Sequence, residues 1–216
     1  MNTESLIFYH SPQTRSSGVR ILLEELDAPH RLHVLNMKTG EQRNPEYTTI
    51  NPMGKVPAIC HNGTLVTEQV AIYIYLPDAF PEKGLAPAIG DPLRGSYLRW
   101  IAYYGSCFEP AVMDKALQRE PGNASMMPYG DFDTMFSTLT DQLAKGPYIL
   151  GERFSAADIL WGTALEWMVM FKLIPDTTVI NDYVQRVAAR PSVQKIKMAD
   201  AELASDHERF AKAQAE

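Results

Sequence analysis

The stretch PDAFPEKGLAPAIGDP, from Pro77 to Pro92, constrains this chain more than any other feature, because the residue patterns on its two sides differ in kind. Proline removes a backbone donor and glycine loosens the chain, so a stretch rich in both reads as a linker. Before it, strand-like and helix-like pieces alternate. Leu6 to Tyr9 is a short apolar run with strand propensity, followed by the turn cluster Ser11-Pro12-Gln13. Val19, Leu22, Leu23 and Leu26 recur at helical spacing, and Asp27-Ala28-Pro29 stops that helix. Arg31 to Asn36 alternates as a second strand. Ala58 to Cys60 and Leu65-Val66 flank His61-Asn62-Gly63-Thr64, and Asn-Gly between apolar runs predicts a hairpin. Thr67 is expected to cap a helix that ends before Pro77.

This β-α-β-(short helix)-β-β-α order predicts a parallel pair joined by a crossover, plus an antiparallel edge. Beyond the linker the strand signal disappears. Leu93 to Val112 predicts one long helix, Phe132 to Leu143 another, and Ser155 with Asp158 a capping box opening a third. Tyr183, Val187 and Ala188 predict a fourth, stopped at Pro191, with a short helix after it. The fold class is therefore α/β followed by all-α, with a first domain over 1–80, a linker over 81–91 and an all-helical domain over 92–216.

Composition narrows the function. The chain has 216 residues and a net charge of -6, and both sides of the linker are net negative. Binding to a phosphate backbone needs a basic excess, so a nucleic-acid partner is not expected. The N-terminal residues carry no basic stretch leading into an apolar signal region, and no apolar run is long enough to span a bilayer. Cys60 and Cys107 are too few for a disulfide framework. The expectation is a reduced, cytoplasmic protein without a membrane partner. His30 and His33 lie three apart on a strand and so point to opposite faces, which leaves no metal site expected.

Three segments could carry chemistry. In Asn51-Pro-Met-Gly-Lys-Val-Pro-Ala-Ile59, a cis Val56-Pro57 bond would leave the Val56 N–H and C=O facing outward, able to pair with a peptide-like ligand as a further strand. The plainer alternative is a turn with proline at a strand start. Glu68-Gln69 sits at a helix start, where free N–H groups bind a carboxylate while Glu68 pairs with an amine; a bare dipole contact would place Glu there as well. Ser11, Thr14, Ser16 and Ser17 lie between the first strand and first helix, where hydroxyls can donate to a thiolate or simply cap the helix.

Taken in order, NPMGKVPAI, TEQVAIYIYL, the proline-rich linker and RFSAADIL resemble the cytosolic glutathione S-transferases over essentially the whole chain. The resemblance implies a thioredoxin-like first domain, an all-helical second one, and a homodimer. It implies that Val56, beside cis Pro57, holds the cysteinyl backbone of glutathione. Glu68 and Gln69 would hold the γ-glutamyl head, and Lys55 and Gln42 match positions at the glycyl end. Gln69 departs from the family's usual Ser. No Tyr occupies the nucleophile-activating place, so the pattern resembles the hydroxyl or cysteine type of theta- and beta-like bacterial members. Different registers favour Ser16, Ser11 or Thr14 as the donor to sulfur, with Ser16 ranked first. Tyr104 and Phe108 are expected to line a site for an apolar second substrate. The implied activity is glutathione transfer to a small, mainly apolar electrophile, as in detoxification, with glutathione as co-substrate and no metal. The alternatives are a glutathione-dependent disulfide or peroxide reductase and a non-catalytic binding protein on the same scaffold.

Overall fold

The computed structural model describes residues 6–120 and 122–215. The chain divides into two compact units, Met1–Leu76 with Pro191–Glu216, and Pro77–Arg190. The first unit thus takes the last helix, a segment that the linker-based division assigns to the helical half.

In the first unit, β1 (Leu6–His10), β2 (His30–Val34), β3 (Ala58–His61) and β4 (Thr64–Thr67) form one sheet in the order β2-β1-β3-β4. β1 and β2 are parallel, joined through helix α1 (Ser16–Leu26); β1 with β3 and β3 with β4 are antiparallel. Asn62 and Gly63 take φ of 52° and 75°, both left-handed, as a tight two-residue hairpin requires. Side chains alternate across the sheet. Ile7, Tyr9, Ala58 and Cys60 meet Leu35, Tyr47 and Val56 in one cluster, while Phe8 and Ile59 are fully buried. A short helix α2 (Pro45–Thr48) precedes β3, and α3 (Gln69–Ala79) follows β4.

Helix α3 continues past Pro77 instead of ending before it. Proline's ring fixes φ near the helical value, and the helix runs only two residues past it, to Ala79. Pro191 likewise opens α9 (Pro191–Ala215) instead of merely closing the preceding helix, because the first helical position needs no N–H. At 25 residues α9 is also far from short. It lies along α1. Lys195 pairs with Glu24 at 2.6 Å, Ser192 donates to Glu25, and Arg20 pairs with Asp200 at 2.6 Å.

The second unit is helical throughout: α4 (Arg94–Tyr103), α5 (Glu109–Ala116), α6 (Phe132–Leu143), α7 (Ala156–Met170) and α8 (Thr178–Ala188). The single long helix predicted over Leu93 to Val112 is broken by a π-type turn, Tyr104–Phe108. Pro110 lies just beyond, and its missing N–H cannot complete the regular ladder there. The capping box at the start of α7 is present. Buried Asp158 accepts from the Ile149 and Ser155 N–H groups and the Tyr183 hydroxyl, each at 2.8 Å, and from the Ser155 hydroxyl at 3.0 Å. No helix among the described residues is long and apolar enough to cross a membrane.

Candidate active site

Strand register brings the three candidate segments to one end of the sheet. Ala58 pairs with Tyr9 on one side and Thr67 on the other. The residues just outside that row are Val56 and Pro57 before Ala58, the Ser11–Arg15 turn after β1, and Glu68 after β4. The Val56-Pro57 bond is cis. Among the described residues, the Val56 N–H and C=O have no hydrogen-bond partner.

The loop that presents Val56 is pinned from behind. Tyr47 donates its hydroxyl to the Lys55 carbonyl at 2.6 Å, and Asn51 donates its amide to the same oxygen at 2.8 Å. Burial pushes the Tyr47 hydroxyl up to about 12, with Asn51 opposing, so it stays a donor across the working pH range. Val56 itself anchors in the cluster with Tyr9 and Leu35. Gly54, at φ 59°, lets the loop lie against the Gln42 carbonyl; a Cβ there would sit 2.8 Å from that oxygen. Lys55 points to solvent.

Glu68 is the residue before α3, not part of its first turn: its carbonyl takes the Ile72 N–H at 3.0 Å, and its φ is 64°. The expected Thr67 cap is thereby replaced, since Thr67 ends β4. A left-handed glutamate costs about 1 kcal/mol, and such strain gathers where a side chain must be aimed at a ligand. Glu68 is exposed. Gln69 donates Nε2 to the Arg15 carbonyl at 3.3 Å, tying the start of α3 to the β1–α1 turn. The amide oxygens of Gln42 and Gln69 are buried and, among the described residues, accept no hydrogen bond. Buried acceptors left unmatched are costly, so both oxygens suit a ligand that brings N–H groups.

The hydroxyl cluster is unequal in access. Ser16 is 0% and Ser11 2% exposed, while Thr14 is half-buried. Ser16 Oγ lies 2.7 Å from Thr14 Oγ1 and 2.8 Å from His10 Nδ1, accepts from the Ser11 N–H at 3.1 Å, and is placed to donate to the Ser11 carbonyl at 3.0 Å. A hydroxyl has one hydrogen and two acceptor positions, so these neighbours occupy Ser16 completely. Thr14 also reaches the Ser11 carbonyl at 2.8 Å.

The glutathione S-transferase N-terminal domain model matches residues 4–78, and the C-terminal domain model of the same name matches residues 129–186. The chain belongs to the glutathione S-transferase family. Glutathione S-transferase GstA of Escherichia coli O157:H7 is 27% identical over 89% of this chain and 97% of its own length. A glutathione transferase of Methylococcus capsulatus superposes with a TM-score of 0.75 at 28% identity, covering 91% of this chain and 98% of its own. A transferase homologue from Sulfitobacter, solved with bound glutathione, gives 0.73 at 29% over the same shares. The first unit's sheet and helices are thioredoxin-like, and the second is the family's helical domain.

In this transferase-family chain the remaining expectations fare differently. Tyr104 and Phe108 are 2% and 0% exposed and meet Trp161 edge-on with centroids 5.4 and 5.0 Å away. They belong to the interior of the helical unit, and the helical periodicity that singles them out records burial, not access. Among the described residues, no group of three or more His, Cys, Asp or Glu side chains is placed to hold a metal ion. Sequence patterns do not single out Tyr47, Asn51 and Gly54, although all flank or lie in the NPMGKVP loop. Nor do they single out His10 and Asp200, whose Nε2 and Oδ1 lie 3.1 Å apart across 190 residues of chain.

Proposed function

We propose that this chain binds glutathione on its first unit and activates the thiol for attack on a small, mainly apolar electrophile, as a theta- or beta-like transferase of the hydroxyl type. The observation that carries the reading is the bare main chain of Val56, at the same end of the sheet as Glu68, whose exposed side chain stands on a left-handed backbone. The cysteinyl N–H and C=O of the tripeptide pair with Val56 as an added strand would. The γ-glutamyl amine meets Glu68, and its N–H groups meet the unmatched Gln69 oxygen. Lys55 takes the glycyl carboxylate, while the Gln42 oxygen accepts from an N–H at the glycyl end of the tripeptide.

Of the Ser11, Thr14 and Ser16 hydroxyls, that of Thr14, the one with open surface, then donates to sulfur. It stabilises thiolate electrostatically and never becomes a covalent nucleophile. A free thiol titrates near ~8.5, so a lowering of about one unit raises the thiolate fraction at neutral pH about eightfold. The working assembly is a homodimer.

Retention on glutathione resin, with conjugation of an aryl halide by the eluted protein, tests the reading. Retention without turnover on any electrophile would leave only a binding protein. Turnover confined to disulfides or peroxides would mark a reductase. Absence of both retention and turnover refutes the glutathione site itself. Light scattering of the purified protein checks the dimer.

A further inference from the structure

His10 ends β1 fully buried, and its ring makes none of the contacts assigned to glutathione. Its Nδ1 faces Ser16 Oγ at 2.8 Å and its Nε2 faces Asp200 Oδ1 at 3.1 Å. Asp200 also accepts from Arg20 Nη1 at 2.6 Å and from the Ser17 hydroxyl. Burial alone would push the Asp200 carboxyl up, but His10, Ser17 and Arg20 outweigh it and hold it below the usual carboxylate range. A carboxylate only accepts, so Nε2 carries a hydrogen, and Nδ1 is the ring atom that can gain or lose one.

The Ser16 hydrogen has three acceptors in reach, His10 Nδ1, Thr14 Oγ1 and, at 3.0 Å, the Ser11 carbonyl; keeping a hydrogen in the shortest of these contacts, Ser16 to Thr14, gives the cluster two arrangements. The 2.7 Å contact between Ser16 Oγ and Thr14 Oγ1 needs one hydrogen between the oxygens. When Nδ1 is bare, it takes the Ser16 hydrogen, and Thr14 must donate inward to Ser16. When Nδ1 is protonated, it and the Ser11 N–H fill both acceptor positions of Ser16, which then donates to Thr14. Thr14 already accepts from the Ser16 N–H at 3.2 Å. Its own hydrogen is left for the Ser11 carbonyl or for an acceptor outside the protein. Of the three hydroxyl residues, Thr14 is the one with open surface.

We propose that His10, braced by Asp200, is a positioning residue: a hydrogen on Nδ1 reverses the Ser16–Thr14 pair and turns the Thr14 hydroxyl toward the sulfur of bound glutathione. The inference rests on the glutathione reading above. The thiol's proton leaves to solvent, no proton travels along the chain, and only hydroxyl hydrogens reorient. Titratable and charged groups around His10 are Asp200 and His207 on α9 and Arg20 on α1, and every variant below keeps them. Linkage makes the effect reciprocal, so bound thiolate favours a protonated Nδ1 by the same factor that a protonated Nδ1 favours thiolate.

The test follows the ring-nitrogen resonances of His10 by NMR through a pH titration of the full chain. It is run with saturating glutathione and again with saturating S-methylglutathione, which cannot form a thiolate. The midpoint is expected to lie higher with glutathione by roughly half a unit or more, about threefold in linkage. Thr14→Val is expected to abolish most of that difference, and Thr14→Ser to restore it. Equal midpoints with the two ligands overturn the proposal. So does a difference that survives Thr14→Val, since it would then be direct attraction between charges. Failure of both ligands to bind is a separate result, and it refutes the glutathione reading beneath the proposal.

Discussion

Replacing Gly54 by alanine tests whether the Val56 loop owes its position to one close backbone approach. The residue stands at φ 59°, and the added Cβ would lie 2.8 Å from the Gln42 carbonyl oxygen. The left-handed backbone costs alanine about 1 kcal/mol. The contact must open by several tenths of an ångström, and the opposing atom is main chain, which cannot rotate away. The loop is pinned close by through the Tyr47 and Asn51 hydrogen bonds to Lys55, so the shift strains bonds with a net worth of about 1 kcal/mol each. Together these give a loss of roughly 2–3 kcal/mol, or about 4–12 °C in a chain of this size. Gly63 supplies the control: its φ is 75°, but a Cβ there meets nothing within 4 Å, so Gly63→Ala pays only the backbone term. Thermal melting by circular dichroism of both variants isolates the clash as their difference, about 1–2 kcal/mol. Glutathione titration calorimetry on Gly54→Ala is expected to show about tenfold weaker binding, because Lys55 and Val56 ride on the displaced loop and Gln42 is the residue it is pushed from. Equal losses at the two glycines, with glutathione binding intact, would refute the reasoning.

Glu68→Gly separates strain from recognition: relief of the left-handed backbone is expected to raise stability by roughly 1 kcal/mol, while loss of the carboxylate weakens glutathione binding at least about tenfold. A melt and a binding titration that move in the same direction would deny that the strain serves the ligand. Asp158→Ala strips acceptors from two buried N–H groups and the Tyr183 hydroxyl, and removes a helix cap, so a loss of about 4 kcal/mol or more is expected in urea unfolding. A loss under about 2 kcal/mol would mean that water replaces the carboxylate. Asp200 has a folded-state carboxyl below its unfolded value near ~3.9, so its stabilisation is full above that pH and is lost as pH falls through the lower folded value. Asp200→Asn is expected to lower stability at neutral pH and flatten its fall in acid; urea midpoints measured from about pH 6 to about pH 3 check the slope.

Features written in a few adjacent residues are legible in the sequence itself. Asn62-Gly63 predicts its hairpin because few dipeptides adopt two successive left-handed conformations. Val56-Pro57 predicts its turn because only proline makes the cis bond common. Ser155 and Asp158 predict the start of α7 because a cap and its partner lie three residues apart. Proline is legible as punctuation but not as to which side it punctuates. Pro191 breaks the ladder of whatever precedes it and suits the first turn of whatever follows, so residue type alone does not tell a stop from a start. Tyr104 and Phe108 show a related limit. Their spacing identifies a buried helix face without identifying what buries it, and here the answer is Trp161 within the same unit.

The hydroxyl cluster shows where local reading ends for physical reasons. In sequence, Ser11, Thr14 and Ser16 differ only in register, and each can donate to sulfur. Their difference arises from a histidine whose partner lies 190 residues away on α9. That partner brings Arg20 and Ser17 with it, so the base of the turn is clamped from the far end of the chain. With His10 on one side and the Ser11 main chain on the other, Ser16 has no hydrogen-bonding position left for a ligand, whatever its rank by register. The same clamp leaves Thr14 the one hydroxyl with both open surface and a hydrogen whose direction its neighbours can set. Hydrogen bonding at this end of the sheet is therefore shaped by α9, which no motif ties to these residues and which folds with the first unit because Glu24, Glu25 and Arg20 on α1 each find a partner there.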